Sequence, residues 1–361
     1  MDKTNIPKTY NYMNNHLWLD LALEEKTASV QAVARKRGID ERAVEKDWWV
    51  TAILKALSGT ECSRWLNFKG GTSLSKGWSL INRFSEDIDL SIGRGFFAEK
   101  LGLSCAKAEN NTQLKNLRKA SRDYIHGTLS TLLKKELDRM GISGYAVSNL
   151  THQPTPEGER LISHDSDPTV IFVEYDSIFP KYNGDIQPKV KVEISCLSMD
   201  EPFEIKHIGT MINEEFNDVD IDLGSEIRTV TPARTFLEKA LLLNEEFQKD
   251  NPRHRRMSRH LYDLERIMDT EYGHAAISDI SLYRVIVEHR KKFYHLGYVD
   301  YFKDYPKHID FVPTGKLLNA FKRDYYENMV DGYIYGDAMP FDALIERMKE
   351  LQARFRDIPI E

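Results

Sequence analysis

Cysteine is scarce: Cys62, Cys105 and Cys196 are the three in 361 residues, widely separated and without a CxxC pair. That argues against a disulfide framework and a thiolate zinc site and makes a reducing cytoplasm the expected setting. No run is long and uncharged enough to span a bilayer, and the polar start, residues 1–15, lacks the apolar core of a signal peptide. A soluble protein with no membrane partner is expected. Positive charge is not in excess either, since 50 Lys and Arg face 56 Asp and Glu, for a formal net charge of -6. A wholly basic nucleic-acid coat is excluded, whereas a local basic groove following a phosphate backbone is not. Internal repeats and low-complexity tracts are also absent.

With 41% hydrophobic and 29% charged residues, the chain can bury a sizeable core, and its length suggests two packed units. Residues 28–56 read as two helices broken at Gly38, the second capped by Asp40 and carrying Val44, Trp48, Ile53 and Leu57. No basic cluster marks that second helix for a DNA groove, so the pair is read as a buttress for the next unit. A short strand at 65–68 precedes the turn Gly70-Gly71-Thr72-Ser73 and a helix to about Ile81. Residues 87–92 alternate polar and apolar as a half-buried strand does. Residues 105–140 are helix-prone, strands are expected at 145–150, 169–175, 189–195 and 203–208, and 153–167 reads as a surface loop. Thr231-Pro232 suits an N-cap and first helical position, with helical spacing from there to about Phe355. The expected organisation is a helical extension over 1–60, an α+β domain over 61–230 and a helical domain over 231–361.

Asp87 and Asp89 fall two apart on one strand, hence on one face about 6.6 Å apart, where hard oxygens suit Mg2+ or Mn2+. A lone DxD also describes an ordinary exposed strand face. The glycine turn before it adds context. Gly70 and Gly71 allow close backbone approach, and the Thr72 and Ser73 hydroxyls can donate to phosphate oxygens. Lys76 could add charge there or be a solvated helix lysine. A nucleoside triphosphate is the ligand this combination suggests.

The runs from Phe68 to Lys76 and from Arg83 to Leu90, with Glu45-Lys46-Asp47-Trp48-Trp49 upstream, resemble the AbiEii/AbiGii-type toxin nucleotidyltransferases. The resemblance is tight over 28–95 and looser over 228–268. It implies a polymerase β-like nucleotidyltransferase core with a helical C-terminal part, and a toxin of abortive-infection or toxin–antitoxin systems. The activity implied is transfer of a nucleoside monophosphate to an acceptor hydroxyl, the acceptor being RNA and in particular the tRNA 3′ end, with a cognate antitoxin as partner. Two further family positions fall on Lys239 and Asp263, although His260 stands where the family commonly has aspartate. Lys239 flanks the stripe of Phe236, Ala240, Leu243 and Phe247, and Asp263 could instead pair with Arg259.

In polymerase β-like folds a third carboxylate comes from a neighbouring strand, which points to Glu193, a residue that could equally balance Lys191. Arg253, Arg255 and Arg256 form the densest basic segment, a candidate RNA contact or a solvated loop, with His289-Arg290-Lys291-Lys292 a weaker one. Competing readings are a catalytically silent RNA-binding module, nucleotidyl transfer to a protein hydroxyl, and a glycosyltransferase using its DxD.

Overall fold

The computed structural model describes residues 17–179 and 186–360. The polar start read as lacking a signal peptide lies outside the described residues. Among the described residues no helix is long and apolar enough to cross a membrane.

Helix α1 (Leu23–Arg37) stops at Gly38, whose φ of 65° supplies the left-handed cap. Asp40 then caps α2 (Glu41–Ser58) by accepting from the Arg42 amide at 2.7 Å. Fourteen residues of α2 are buried, so it runs through the protein interior and offers no face to a DNA groove. Three of those buried residues are charged, and each fastens a different loop. Glu45 accepts from the Ser177 hydroxyl at 2.6 Å and the Ile178 amide at 2.8 Å. Lys46 reaches Glu86 at 2.9 Å and the Gln187 carbonyl at 3.2 Å. Asp47 accepts from the Met211 amide at 2.9 Å and from Lys76.

Two sheets follow, built from β1 (Leu66–Lys69), β2 (Ile88–Ile92), β3 (Tyr145–Asn149), β4 (His152–Thr155), β5 (Gly158–Leu161), β6 (Thr169–Tyr175), β7 (Lys189–Ser195), β8 (Phe203–Ile208) and β9 (Ser225–Val230). The larger sheet has the order β3-β6-β7-β2-β1-β9-β8. Its centre sets the site: β2 lies antiparallel to β1, pairing Lys69 with Asp89, and parallel to β7, pairing Asp89 with Glu193. Ile88 and Leu90, Val190, Val192 and Ile194 enter the core, which turns Asp89 and Glu193 to the opposite face. Between β1 and β2 lies α3 (Gly70–Lys76); α4 (Asn111–Asp123) leads to α5 (Ser130–Arg139), which packs on α2 and β3, and α6 (Met211–Glu215) packs on α1 and α2.

The helical part comprises α7 (Pro232–Glu246), α8 (Ser258–Met268), α9 (Glu271–Ser278), α10 (Ile280–His289), α11 (Gly315–Asp324) and α12 (Phe341–Arg356). Thr231 and Pro232 open α7 as expected, although the Thr231 hydroxyl makes no capping bond. One apolar cluster runs from Trp18 to Ile227 and adds Phe293. A second is centred on Phe236, Leu264, Phe321 and Phe355, and takes in Ala43, Leu74, Ile81 and Phe84.

Three expectations need correction. Residues 153–167 are not all loop, because β4 and β5 form a hairpin there with Thr155 opposite Gly158. Pro156 marks its turn, and exposure on both faces leaves no apolar alternation to read. Strand β9 was not expected. Helix α3 ends at Lys76 rather than Ile81, and Ser79, at φ 53°, turns the chain.

Asp220 anchors α2 by accepting from the Trp18 amide at 2.8 Å, the Trp48 indole at 3.0 Å and the Thr210 hydroxyl at 3.3 Å. Removing it orphans buried donors, so Asp220→Ala is expected to cost about 2–4 kcal/mol. Urea midpoints of the two proteins check this; equal midpoints would show that the anchor contributes nothing.

Candidate active site

The site begins with strand register. Asp87 stands one residue before β2, and Asp87, Asp89 and Glu193 all line a cleft of about 400 Å³ between the sheet and the helical part. Burial pushes the Asp87 carboxyl up, and Glu86 and Glu193 push it further. Asp89 is raised first by burial and then by the neighbouring Glu193 carboxylate, against which Lys69 pulls it down. Burial also works against the Glu193 carboxylate, but Lys191, in direct contact, prevails and keeps it lowered.

Gly70 and Gly71 reach this wall through their backbone. A Cβ on Gly70, at φ 79°, would stand 2.1 Å from an Asp89 carboxylate oxygen, and one on Gly71 would stand 2.4 Å from Arg83. Only glycine lets the chain pass so close to these side chains. The remaining residues of that turn do not line the cleft. The Thr72 hydroxyl bonds Ser85 at 2.9 Å and the Asp87 carbonyl, and the Ser73 hydroxyl donates back to the Gly70 carbonyl at 2.9 Å. Lys76 is held by buried Asp47. All three side chains, expected to face a phosphate, are engaged within the protein and lie off the cleft lining.

The same cleft is also lined by cations. Asp263, with no exposed surface, takes both arms of Arg83 at 2.7 and 2.8 Å and Lys239 at 2.9 Å. Its expected partner Arg259 is not bonded to it, and Asp263 does not itself line the cleft, whereas Arg83, Lys239 and Arg259 do. Burial alone would raise the Asp263 carboxyl, but Arg83 and then Lys239 outweigh it and hold it far below the usual range. Burial lowers Lys239, and Arg83 and Arg259 reinforce that against the pull of Asp263.

The basic segment divides. Arg253 and Arg256 line the cleft, held by Glu246 at 2.8 Å and Glu86 at 2.7 Å, while Arg255 is exposed and away from it. In the second run, His289 and Arg290 turn inward, Arg290 bonding Glu245 at 2.6 Å, and Lys291 and Lys292 are exposed. Sequence reading missed Lys69, Arg83 and Glu86 as cleft residues. Arg83 and Glu86 lie inside the recognised run, but their partners stand 180 and 40 residues away, and local spacing carries no sign of either.

Because the folded-state pKa of Asp263 is depressed, its contribution to stability is full above the unfolded value of about 4 and is lost as pH falls toward the folded value. Asp263→Asn leaves two buried cations short of a counter-charge and is expected to cost about 3–5 kcal/mol at neutral pH. The deficit relative to wild type should shrink progressively below roughly pH 4. Urea melts across pH measure it, and a deficit constant with pH would contradict the ion-pair account.

A family model described as nucleotidyl transferase AbiEii toxin, type IV toxin–antitoxin system, matches residues 53–347. No curated protein matches the sequence. Among solved structures, MenT4, a nucleotidyltransferase toxin from Mycobacterium tuberculosis, is 17% identical, with 92% of this chain and 89% of that one covered and a TM-score of 0.49. JHP933 from Helicobacter pylori is also 17% identical, with 88% and 93% covered and a TM-score of 0.40. With sheet, cleft and a family match over most of its length in place, this chain belongs to the AbiEii nucleotidyltransferase toxin family of type IV toxin–antitoxin systems.

Proposed function

We propose that the chain transfers a nucleoside monophosphate from a nucleoside triphosphate to a hydroxyl of RNA, with the tRNA 3′ end as the preferred acceptor. The observation that carries this reading is one cleft lined both by carboxylates from the sheet side, Asp87, Asp89 and Glu193, and by cations from the helical part, Lys239, Arg256 and Arg259. Acidic groups can direct the reacting phosphate and hydroxyl, while cations offset triphosphate charge. An antitoxin partner and action in the cytoplasm, where triphosphates and tRNA occur, complete the proposal, which extends to abortive infection as a phage defence.

Among the described residues, no group of three or more His, Cys, Asp or Glu side chains stands ready to hold a metal ion. Magnesium seldom needs such a cage, since one or two carboxylates and substrate phosphates suffice. Asp87 and Asp89 fit that requirement as hard-oxygen donors whose carboxyls are raised first by burial and then by neighbouring carboxylates, a setting that an added cation would relieve. Bound there, a divalent cation would draw charge from the attacking and leaving oxygens. The acceptor oxygen forms its bond to the α-phosphorus, the α–β bridging P–O bond breaks, and pyrophosphate leaves with that electron pair. The hydroxyl proton passes to the carboxylate of Glu193. Gly70 and Gly71 bring backbone against the phosphates, Lys239 offsets their charge, and Asp263 acts through Lys239 and Arg83 as a positioning residue. Arg253 and Arg256 receive the RNA backbone at the cleft mouth.

Incubating the purified chain with labelled nucleoside triphosphates, magnesium and either tRNA, total RNA or lysate protein tests the proposal. Label on tRNA supports it; label on protein alone shifts the acceptor, and RNA binding without pyrophosphate release identifies a silent module. Asp87→Asn and Asp89→Asn each keep side-chain shape but lose the negative charge. Both are expected to lower transfer roughly 100-fold or more, equivalent to about 3 kcal/mol. Melting without magnesium should stay level or rise slightly, because like-charge repulsion is relieved. A folded variant turning over at the wild-type rate would remove that aspartate from the reaction.

A further inference from the structure

Almost every cation on the cleft wall is already committed. Arg83 and Lys239 share Asp263, Arg253 is held by Glu246, Arg256 by Glu86 and Arg290 by Glu245, while Lys69 donates to the Ser198 hydroxyl at 3.0 Å. Arg259 differs. It lines the same cleft, half-buried on α8, yet among the described residues its guanidinium takes part in no hydrogen bond or ion pair. Its surroundings are adverse: burial, Arg83 and Arg256 all pull it below the usual arginine range and outweigh the opposing Asp89 and Asp87. A guanidinium stays charged through shifts of this kind, so the folded protein carries a poorly solvated, uncompensated cation aimed into its cleft. Such a group costs stability unless a ligand brings the missing anion.

We propose that Arg259 binds the β- and γ-phosphates of the nucleoside triphosphate and holds the pyrophosphate as it departs. This rests on the nucleotidyl-transfer reading. The planar fork of arginine matches two phosphate oxygens at once, and the pyrophosphoryl part carries most of the triphosphate's charge and gains more as the α–β bond breaks. An RNA backbone phosphate offers similar oxygens, but Arg259 is half-buried within the cleft that Asp87 and Asp89 also line, whereas Arg253 is largely exposed.

The test compares wild type, Arg259→Gln and Arg259→Lys in the full chain with magnesium. It measures KM for the triphosphate, inhibition by pyrophosphate, binding of a nucleoside monophosphate, RNA affinity and melting temperature. In Arg259→Gln, KM and the pyrophosphate inhibition constant are expected to rise together by roughly 10- to 100-fold, the usual worth of hydrogen bonds to a charged group. Lysine should restore part of the loss, and monophosphate binding should not change. Melting without ligand should hold or rise, since repulsion from Arg83 and Arg256 is relieved. Unchanged KM and pyrophosphate inhibition overturn the proposal, and so does a loss confined to RNA affinity or a fall in ligand-free melting temperature. If wild-type protein binds neither triphosphate nor pyrophosphate, the transfer reading itself fails and takes this inference with it.

Discussion

The carboxylate of Asp263, sealed from water on α8, is shared by Arg83 from the segment before β2 and Lys239 from α7. Net stabilisation from a buried ion cluster is small once desolvation is counted, but removing one member is costly, so the arrangement fixes position more than it adds stability. It fixes the site in two ways. The β2 approach is tied to the helical part, aided by Phe84 donating its amide to the Tyr333 carbonyl at 2.7 Å and Tyr335 donating to Asn82 at 2.9 Å. It also commits the Arg83 and Lys239 side chains to a carboxylate other than Asp87 and Asp89.

The same logic operates behind the sheet. Lys46 on α2 neutralises Glu86, and Arg256 meets Glu86 from the other side, so the residue next to Asp87 is fixed from both parts of the protein. Burial works against the charge on Glu86, yet Lys46 and Arg256 lower it overall, and it stays ionised in its place. Asp47 does the corresponding work at the end of α3 by holding Lys76. Charged residues on a helix buried along most of its length are expensive unless each meets a partner, and here their partners are the loops that carry the site.

What the sequence made legible was local. The alternation of residues 87–92, the Asp40 cap and the Thr231-Pro232 start each depend on neighbours within a few positions and lie at or within one residue of β2, α2 and α7, whereas Gly70 to Ser73, read as a turn before a helix, themselves open α3. Motif resemblance reached further, putting Lys239 near the cleft without showing that its amine is bound to Asp263. The partners of Asp263, Lys76 and Arg256 come from distant segments, and no periodicity encodes such pairs. Arg253, Arg255 and Arg256 looked equivalent in sequence. The positive φ of 59° at Arg256, with its amide on Asp324, helps separate them into two cleft residues and one exposed one. The missed hairpin had the opposite problem: exposed on nearly every residue, it carries no hydrophobic pattern to detect.

If the cleft that carboxylates and cations line together is the transfer site, the proposed metal and triphosphate meet at Asp87 and Asp89. Diffraction from crystals grown with manganese and a non-hydrolysable nucleoside triphosphate, collected at the manganese absorption edge, measures this directly. The account predicts an anomalous peak within coordination distance of the Asp87 and Asp89 carboxylates, with the triphosphate lying between Gly70 and Arg259. A peak elsewhere, or an ordered triphosphate bound away from both aspartates, would contradict it.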